Sequence, residues 1–388
     1  MTEFNYYQPT EIRFGCGRLS EVGEAVLGYG KTCLLVTGSN IPSLEPSFTK
    51  LMSSLKDAGV TTVHFDGVIP NPTTDTIKNG AIMANANNVD VVLGVGGGSS
   101  MDSAKAIAVE ASHEGSAWDY LFYKKTQPTE KTLPIVTVST TSGTGSQVTQ
   151  VAVMTNSNKR DKSAIYHPNV YPRIAIVDPE VMISVPPKIT AATGFDAFCH
   201  AFESILHPAA SEYTNLMAKE AVSLVFGNLI IAMEEPTDIT ARSALALADT
   251  LAGLCIANAG VTLPHGIGMA IGGMYPNVMH GEALALNYPS FTRFTYEHAV
   301  KEFAFLGRSL NSDLINESDH KAAEQACDEL DDFLKKIKMW YGLSEFGIPE
   351  KELDKLAVQS LVLPDYKNNP IIPTLEETKK ILKSCFNR

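Results

Sequence analysis

The stretch Val91-Val-Leu-Gly-Val-Gly-Gly-Gly-Ser-Ser-Met-Asp-Ser-Ala-Lys105 leaves this chain few folds to choose from. The run Val89–Val95 is apolar without alternation, as in a strand covered on both faces. It leads into Gly94, Gly96, Gly97, Gly98 and Ser99, and helical spacing then runs over Ser100–Ala111. Glycines let a backbone come close to a ligand, and the free amides of a helix start attract phosphate. The spacing is not Gly-x-Gly-x-x-Gly, so the kinship with that dinucleotide loop is one of physics. Taken alone, a glycine-rich turn capped by Ser99 or Ser100 reads the same way.

The same alternation fills the first half of the chain. Strands are expected at Cys33–Thr37, Thr61–Phe65, Leu133–Ser139 and Ile174–Asp178, and helices at Ser43–Ala58 and Asp75–Asn87. Repeated strand–helix units imply a parallel sheet with helices on both sides. From Pro186 onwards Ala-, Leu- and Met-rich helical periodicity takes over. The chain therefore reads as an α/β N-terminal domain, residues 1–185, followed by an all-α C-terminal domain, residues 186–388, with prolines marking the boundary over Asp178–Pro187. The charged segment Glu317–Lys338 reads as the wet face of an amphipathic helix.

A length of 388 residues suits two domains. With 44% hydrophobic and 19% charged residues, the chain can bury a full core. A net charge of −12 argues against nucleic acid and anionic membranes as partners, although local amides can still hold an anionic cofactor. The six cysteines form no Cys-x-x-Cys pair and read as reduced thiols, which points to a cytoplasmic protein. No basic stretch followed by an apolar run opens the chain, so no signal peptide is expected. The apolar run Ala221–Met233 is short for a membrane span, and Ala244–Pro264 is interrupted by Asp249 and Asn258.

In Thr193-Gly-Phe-Asp-Ala-Phe-Cys-His200, Asp196 and His200 stand at i and i+4 and share one helix face. Many such pairs are helix-surface hydrogen bonds. Joined to His265 and His280 downstream, they supply one oxygen and three nitrogen donors, a set that suits a divalent transition metal. A second polar loop, Ser139-Thr-Thr-Ser-Gly-Thr-Gly-Ser146, follows a strand and could line a ligand crevice.

Together, these motifs resemble the iron-containing (group III) alcohol dehydrogenases, in the superfamily of glycerol dehydrogenase and dehydroquinate synthase. The resemblance spans nearly the whole chain: Phe14-Gly-x-Gly17, Pro70-Asn-Pro72, Gly96-Gly-Gly-Ser-x-x-Asp102-x-x-Lys105, Thr140-Thr-x-Gly-Thr-x-Ser146, Ala192-Thr-Gly-x-Asp-Ala-x-x-His200 and the two later His-Gly motifs. It implies a dehydroquinate synthase-like fold with a dinucleotide bound between the two domains. It also implies Fe²⁺, or Zn²⁺ or another divalent ion, on Asp196, His200, His265 and His280. The pyrophosphate would fall on Gly97, Gly98 and Ser99, with Asn71, Asp102, Thr140, Thr141, Thr144 and Lys162 lining the cofactor site. A small alcohol or aldehyde is the implied substrate, and a homodimer or higher oligomer the implied assembly.

Two departures stand out. Relatives often carry a second His one helical turn after the third metal ligand, where this chain has Met269, which makes the pocket more apolar. After the first nucleotide-domain strand, where an acidic residue would favour NAD, stands Thr37-Gly38-Ser39-Asn40. Without a carboxylate to repel a 2′-phosphate, NADP is tolerated beside NAD and is favoured here. The alternatives are a glycerol dehydrogenase- or dehydroquinate synthase-like enzyme acting on a diol or polyol, and a metallohydrolase. The apolar residues around the donors, among them Phe195, Phe198 and Phe202, suit a polyanionic substrate poorly.

Overall fold

The computed structural model describes residues 3–39 and 42–388. Strands β1 (Glu11–Phe14), β2 (Thr32–Gly38), β3 (Thr61–Val68), β4 (Val91–Gly96) and β5 (Ile135–Ser139) precede an antiparallel hairpin, β6 (Val151–Asn156) and β7 (Asp161–Tyr166), and then β8 (Ile174–Val177). Six of them form one parallel sheet in the order β1-β8-β5-β4-β2-β3. Leu35 pairs with Leu93 and Gly96 with Ser139, so the carboxyl ends of β2, β4 and β5 lie along one edge.

Alternation in β2 and β4 divides the core of this unit into two layers. Cys33, Leu35, Val91 and Leu93 join one buried cluster, while Leu34, Val36 and Val92 join the other. Successive side chains of a strand point to opposite faces, and here both faces are covered. The helices α1 (Val22–Leu27), α2 (Glu45–Asp57), α3 (Thr74–Ala86), α4 (Gly98–Ser112) and α5 (Pro179–Met182) belong to this half of the chain.

The second half is helical: α6 (Pro187–Leu206), α7 (Glu212–Glu234), α8 (Ile239–Asn258), α9 (Leu263–Met274), α10 (His280–Thr295), α11 (Val300–Leu310), α12 (Asp319–Lys336), α13 (Leu353–Ser360) and α14 (Leu375–Ser384). Here α6 packs against α7 and α10, and α9 against α10 and α13. By length and composition α7 and α8 could each cross a membrane, a property that buried core helices share. The α7 helix extends beyond the apolar run Ala221–Met233, because Ser211 caps it through the Thr214 amide.

Contacts divide the chain into two compact units, one of Tyr7–Pro186 with Pro236–Ala246 and the other of Met1–Tyr6, Pro187–Glu235 and Leu247–Arg388. Pro236–Ala246 therefore clusters with the sheet, although it lies in the helical half of the sequence. Arg242 ties it there by donating to the Val185 carbonyl, and its second bond, to the Pro236 carbonyl, closes the segment on itself. The sequence reading also missed β1 and the β6–β7 hairpin, and it began two strands too early. The β4 strand begins at Val91 rather than Val89, and β5 at Ile135 rather than Leu133.

Candidate functional site

Three helices of the second unit bring four donors together. Asp196 and His200 sit one turn apart on α6, His265 lies in the first turn of α9, and His280 opens α10. The α10 start reaches α6 because Gly281 has no side chain: a Cβ there would run into the Ala192 carbonyl. Asp196 Oδ1 lies 3.7 Å from His200 Nε2, 3.8 Å from His265 Nε2 and 3.7 Å from His280 Nε2. One atom from each residue falls within 4.8 Å of all the others.

These separations exceed hydrogen-bond length, and both Asp196 Oδ1 and His265 Nε2 are buried with no hydrogen-bond partner. A buried carboxylate oxygen and a ring nitrogen left facing each other carry a desolvation cost that a shared cation removes. Burial alone would raise the Asp196 carboxyl, yet His200, His280 and His265 pull it down to about 2. Burial likewise works against charge on His265, but Glu203 and Asp196 push it up to about 10. The surroundings therefore favour positive charge at this point. The residues present fit a divalent ion held by one oxygen and three nitrogens.

Glu203 was not anticipated from the sequence. It is fully buried, and its Oε1 accepts from His265 Nδ1 at 2.7 Å, while Oε2 accepts from the Thr262 amide at 2.8 Å and its hydroxyl at 3.2 Å. A carboxylate behind a ligating histidine fixes the tautomer and aims the other nitrogen forward. The signal was present in the spacing, since Asp196, His200 and Glu203 stand at i, i+4 and i+7 on one helix face. Met269 lies one turn beyond His265 and is partly buried.

In the first unit, the glycine loop opens α4 as expected. Gly96 has φ of 148°, a conformation that side chains rarely adopt, and Gly97 precedes the helix in an extended conformation. The first-turn amides of Gly98 and Ser99 have no carbonyl one turn back to receive them. The polar loop after β5 lies against this turn. The Thr140 amide donates to the Gly96 carbonyl at 3.0 Å, and a Cβ on Gly97 or Gly98 would meet Thr141 or Thr144. Gly38 ends β2 and Ser39 follows it on the same sheet edge, where the strand order reverses between β2 and β4. Asn40 lies outside the described residues. Lys162 Nζ donates to Asn71 Oδ1 at 2.8 Å, joining β7 to the turn after β3.

Asp102 faces the protein. Its Oδ1 accepts from the Ser146 hydroxyl at 2.6 Å and its Oδ2 from the Val153 amide at 3.2 Å. Beside it, the buried Lys105 ammonium donates to the carbonyls of Ser146, Thr149 and Val151. Together they brace the polar loop against the first turns of α4.

Residues 9–179 match the model of the iron-containing alcohol dehydrogenases, and residues 190–386 match the C-terminal model of that family. The chain is 31% identical to the NAD-dependent methanol dehydrogenase of Bacillus methanolicus, over 98% of this chain and 100% of that one. It is 32% identical to the 1,3-propanediol dehydrogenase of Klebsiella pneumoniae, over 99% of each. An archaeal halo-thermophilic alcohol dehydrogenase from a Red Sea brine pool superposes with a TM-score of 0.94 at 32% identity, over 100% of both chains.

Proposed function

The chain belongs to the iron-containing alcohol dehydrogenase family, and we propose that Asp196, His200, His265 and His280 hold its catalytic divalent metal. It is an oxidoreductase acting on the CH–OH group with NAD. The observation that carries the assignment of the metal is the convergence of one carboxylate and three imidazoles, with two of their atoms buried and unsatisfied.

When bound, the metal supplies Lewis acidity, which polarises an alcohol or carbonyl oxygen and eases loss of the alcohol proton. The nicotinamide, when bound, supplies the hydride acceptor or donor. The protein's part is positional. Glu203 holds the His265 ring so that Nε2 faces Asp196, and Gly281 lets α10 bring His280 alongside α6. Phe195 and Phe198, both fully buried, pack on one another and on Tyr288, which anchors the part of α6 that carries Asp196 against α10.

On the cofactor side, Gly97, Gly98 and Ser99 offer amides to the pyrophosphate, with Thr140, Thr141 and Thr144 in the facing loop. Asn71 and Lys162 act as one paired contact, Gly38 and Ser39 meet the adenosine ribose, and Asp102 acts by bracing the loop. The absence of a carboxylate at Ser39 supports acceptance of NADP beside NAD. The same proposal takes in a small alcohol or aldehyde as substrate, Fe²⁺ or Zn²⁺ as metal, a homodimer or larger assembly in the cytoplasm, and functional halves at 1–185 and 186–388. The test is the purified protein with Fe²⁺ or Zn²⁺, either nicotinamide cofactor, and a panel of short alcohols and aldehydes. Reduced cofactor should form in step with alcohol oxidised. Turnover with no net change in cofactor would instead indicate a dehydroquinate synthase-like reaction.

A further inference from the structure

Beside the carboxyl end of β2 stands a histidine that the reaction does not use. His64 lies on β3, paired with Leu35, and its exposed ring reaches Thr37, two residues further along β2. Residues two apart on a strand share a face, so Leu35, His64 and Thr37 lie on one side of the sheet. The Phe48 ring of α2 backs the imidazole, with ring centroids 5.3 Å apart. Just beyond His64 the ladder slips. Val36 pairs with Phe65 but Gly38 with Val68, so β3 takes one residue more than β2 over this step. Bulges of this kind end regular pairing and re-aim side chains beside binding sites.

Counting hydrogens fixes the role of each partner. The Thr37 hydroxyl has one hydrogen, which it donates to the Gly38 carbonyl at 2.8 Å. It therefore accepts from His64 Nε2, also at 2.8 Å, and that nitrogen carries a proton. Thr37 is itself buried, so water competes poorly for this two-bond chain. A trans peptide is planar, with its C=O and N–H on opposite sides. Holding the Gly38 carbonyl towards Thr37 turns the Ser39 N–H the other way. Gly38 and Ser39 are the residues proposed above to meet the adenosine ribose.

We propose that His64 is a positioning residue for the adenosine half of the cofactor: through the Thr37 hydroxyl it holds the Gly38–Ser39 peptide in the orientation that receives the ribose. The inference rests on the reading that puts the ribose at Gly38 and Ser39, and it names the group that shapes that contact. His64 acts through Thr37 and is not itself a cofactor contact.

The test is the dissociation constant of NADH and of reduced nicotinamide mononucleotide, which lacks the adenosine half, read from nicotinamide fluorescence. His64→Ala should weaken NADH about three- to tenfold, the loss of one hydrogen bond, and leave the mononucleotide unchanged. His64→Gln, whose amide nitrogen can stand where Nε2 stands, should recover most of the loss, and His64→Asn should not. Thr37→Val should reproduce His64→Ala, and the double variant should be no weaker than either single one. Because each comparison of the two ligands is made within one variant, partial misfolding cannot mimic the effect. Unchanged NADH affinity in His64→Ala overturns the inference, as do additive losses in the double variant. An equal loss on both ligands also overturns it, because the disturbance then reaches beyond the adenosine half. In each of these cases Ser39→Asp decides the underlying reading. A shift in its preference towards NAD leaves the ribose at Ser39, and no shift puts the ribose elsewhere.

Discussion

Glu203 Oε1 lies 2.7 Å from His265 Nδ1, inside the helical unit and out of solvent. That bond decides which imidazole nitrogen faces Asp196. Glu203→Gln keeps the shape but turns an amide group towards the Thr262 donors or towards His265, so one bond becomes a donor–donor clash. Metal affinity should fall about 10- to 100-fold, as for other carboxylates behind ligating histidines. Competition of Zn²⁺ against a chelator measures it, and an unchanged affinity would remove Glu203 from the site.

Gly281 offers a steric test of the same centre. A methyl group there would press on the Ala192 carbonyl, at the contact between α6 and α10. Gly281→Ala should destabilise the protein by roughly 1–3 kcal/mol and lower metal occupancy, since overpacking displaces a helix that carries a ligand. Gly227, in the middle of α7, has nothing within 4 Å of a built Cβ. Gly227→Ala should be neutral or stabilising by about 0.5–1 kcal/mol. Denaturant titration of both variants checks the contrast.

Asp365 should leave a signature in the pH dependence of stability. Burial moves its carboxyl from 3.8 to about 6, with His265 opposing. The folded chain therefore binds more protons than the unfolded chain between those values, and stability falls as pH rises through that window. Asp365→Asn removes the effect. In metal-free protein the variant should be more stable than the parent at pH 7, by about 1–3 kcal/mol, and the gap should close towards pH 4. A gap independent of pH would contradict burial as the cause of the raised carboxyl.

Ser39 tests the cofactor reading. It is exposed at the carboxyl end of β2, where a carboxylate would bind ribose hydroxyls and repel a 2′-phosphate. Ser39→Asp should shift the kcat/KM ratio towards NAD by about tenfold or more. An unchanged ratio would place the adenosine ribose elsewhere.

The central strands were legible because burial on both faces leaves near-continuous Val and Leu, as in β4 and β5. The short edge strand β1 was not: Glu11 and Arg13 make it look like a loop, and its pairing with Ile174–Val177 supplies what its composition lacks. The β6–β7 hairpin was hidden by Asp161 and Lys162, whose role emerges only when Lys162 meets Asn71 ninety-one positions away in the chain. At the metal-binding residues, the motif spacing pointed to Asp196, His200, His265 and His280. It did not point to Glu203 or Asp365, because acidic residues of a helical half are ordinarily surface groups until packing buries them.

The central claim is that these four residues hold a metal on which turnover depends. The direct measurement is metal content and nicotinamide reduction on the same samples: native, chelator-stripped, reconstituted with Fe²⁺ or Zn²⁺, and His265→Ala. About one ion per chain should accompany activity, stripping should abolish both, reconstitution should restore both, and His265→Ala should recover neither. Full alcohol oxidation by the stripped protein, or an unchanged metal content in His265→Ala, would contradict the account.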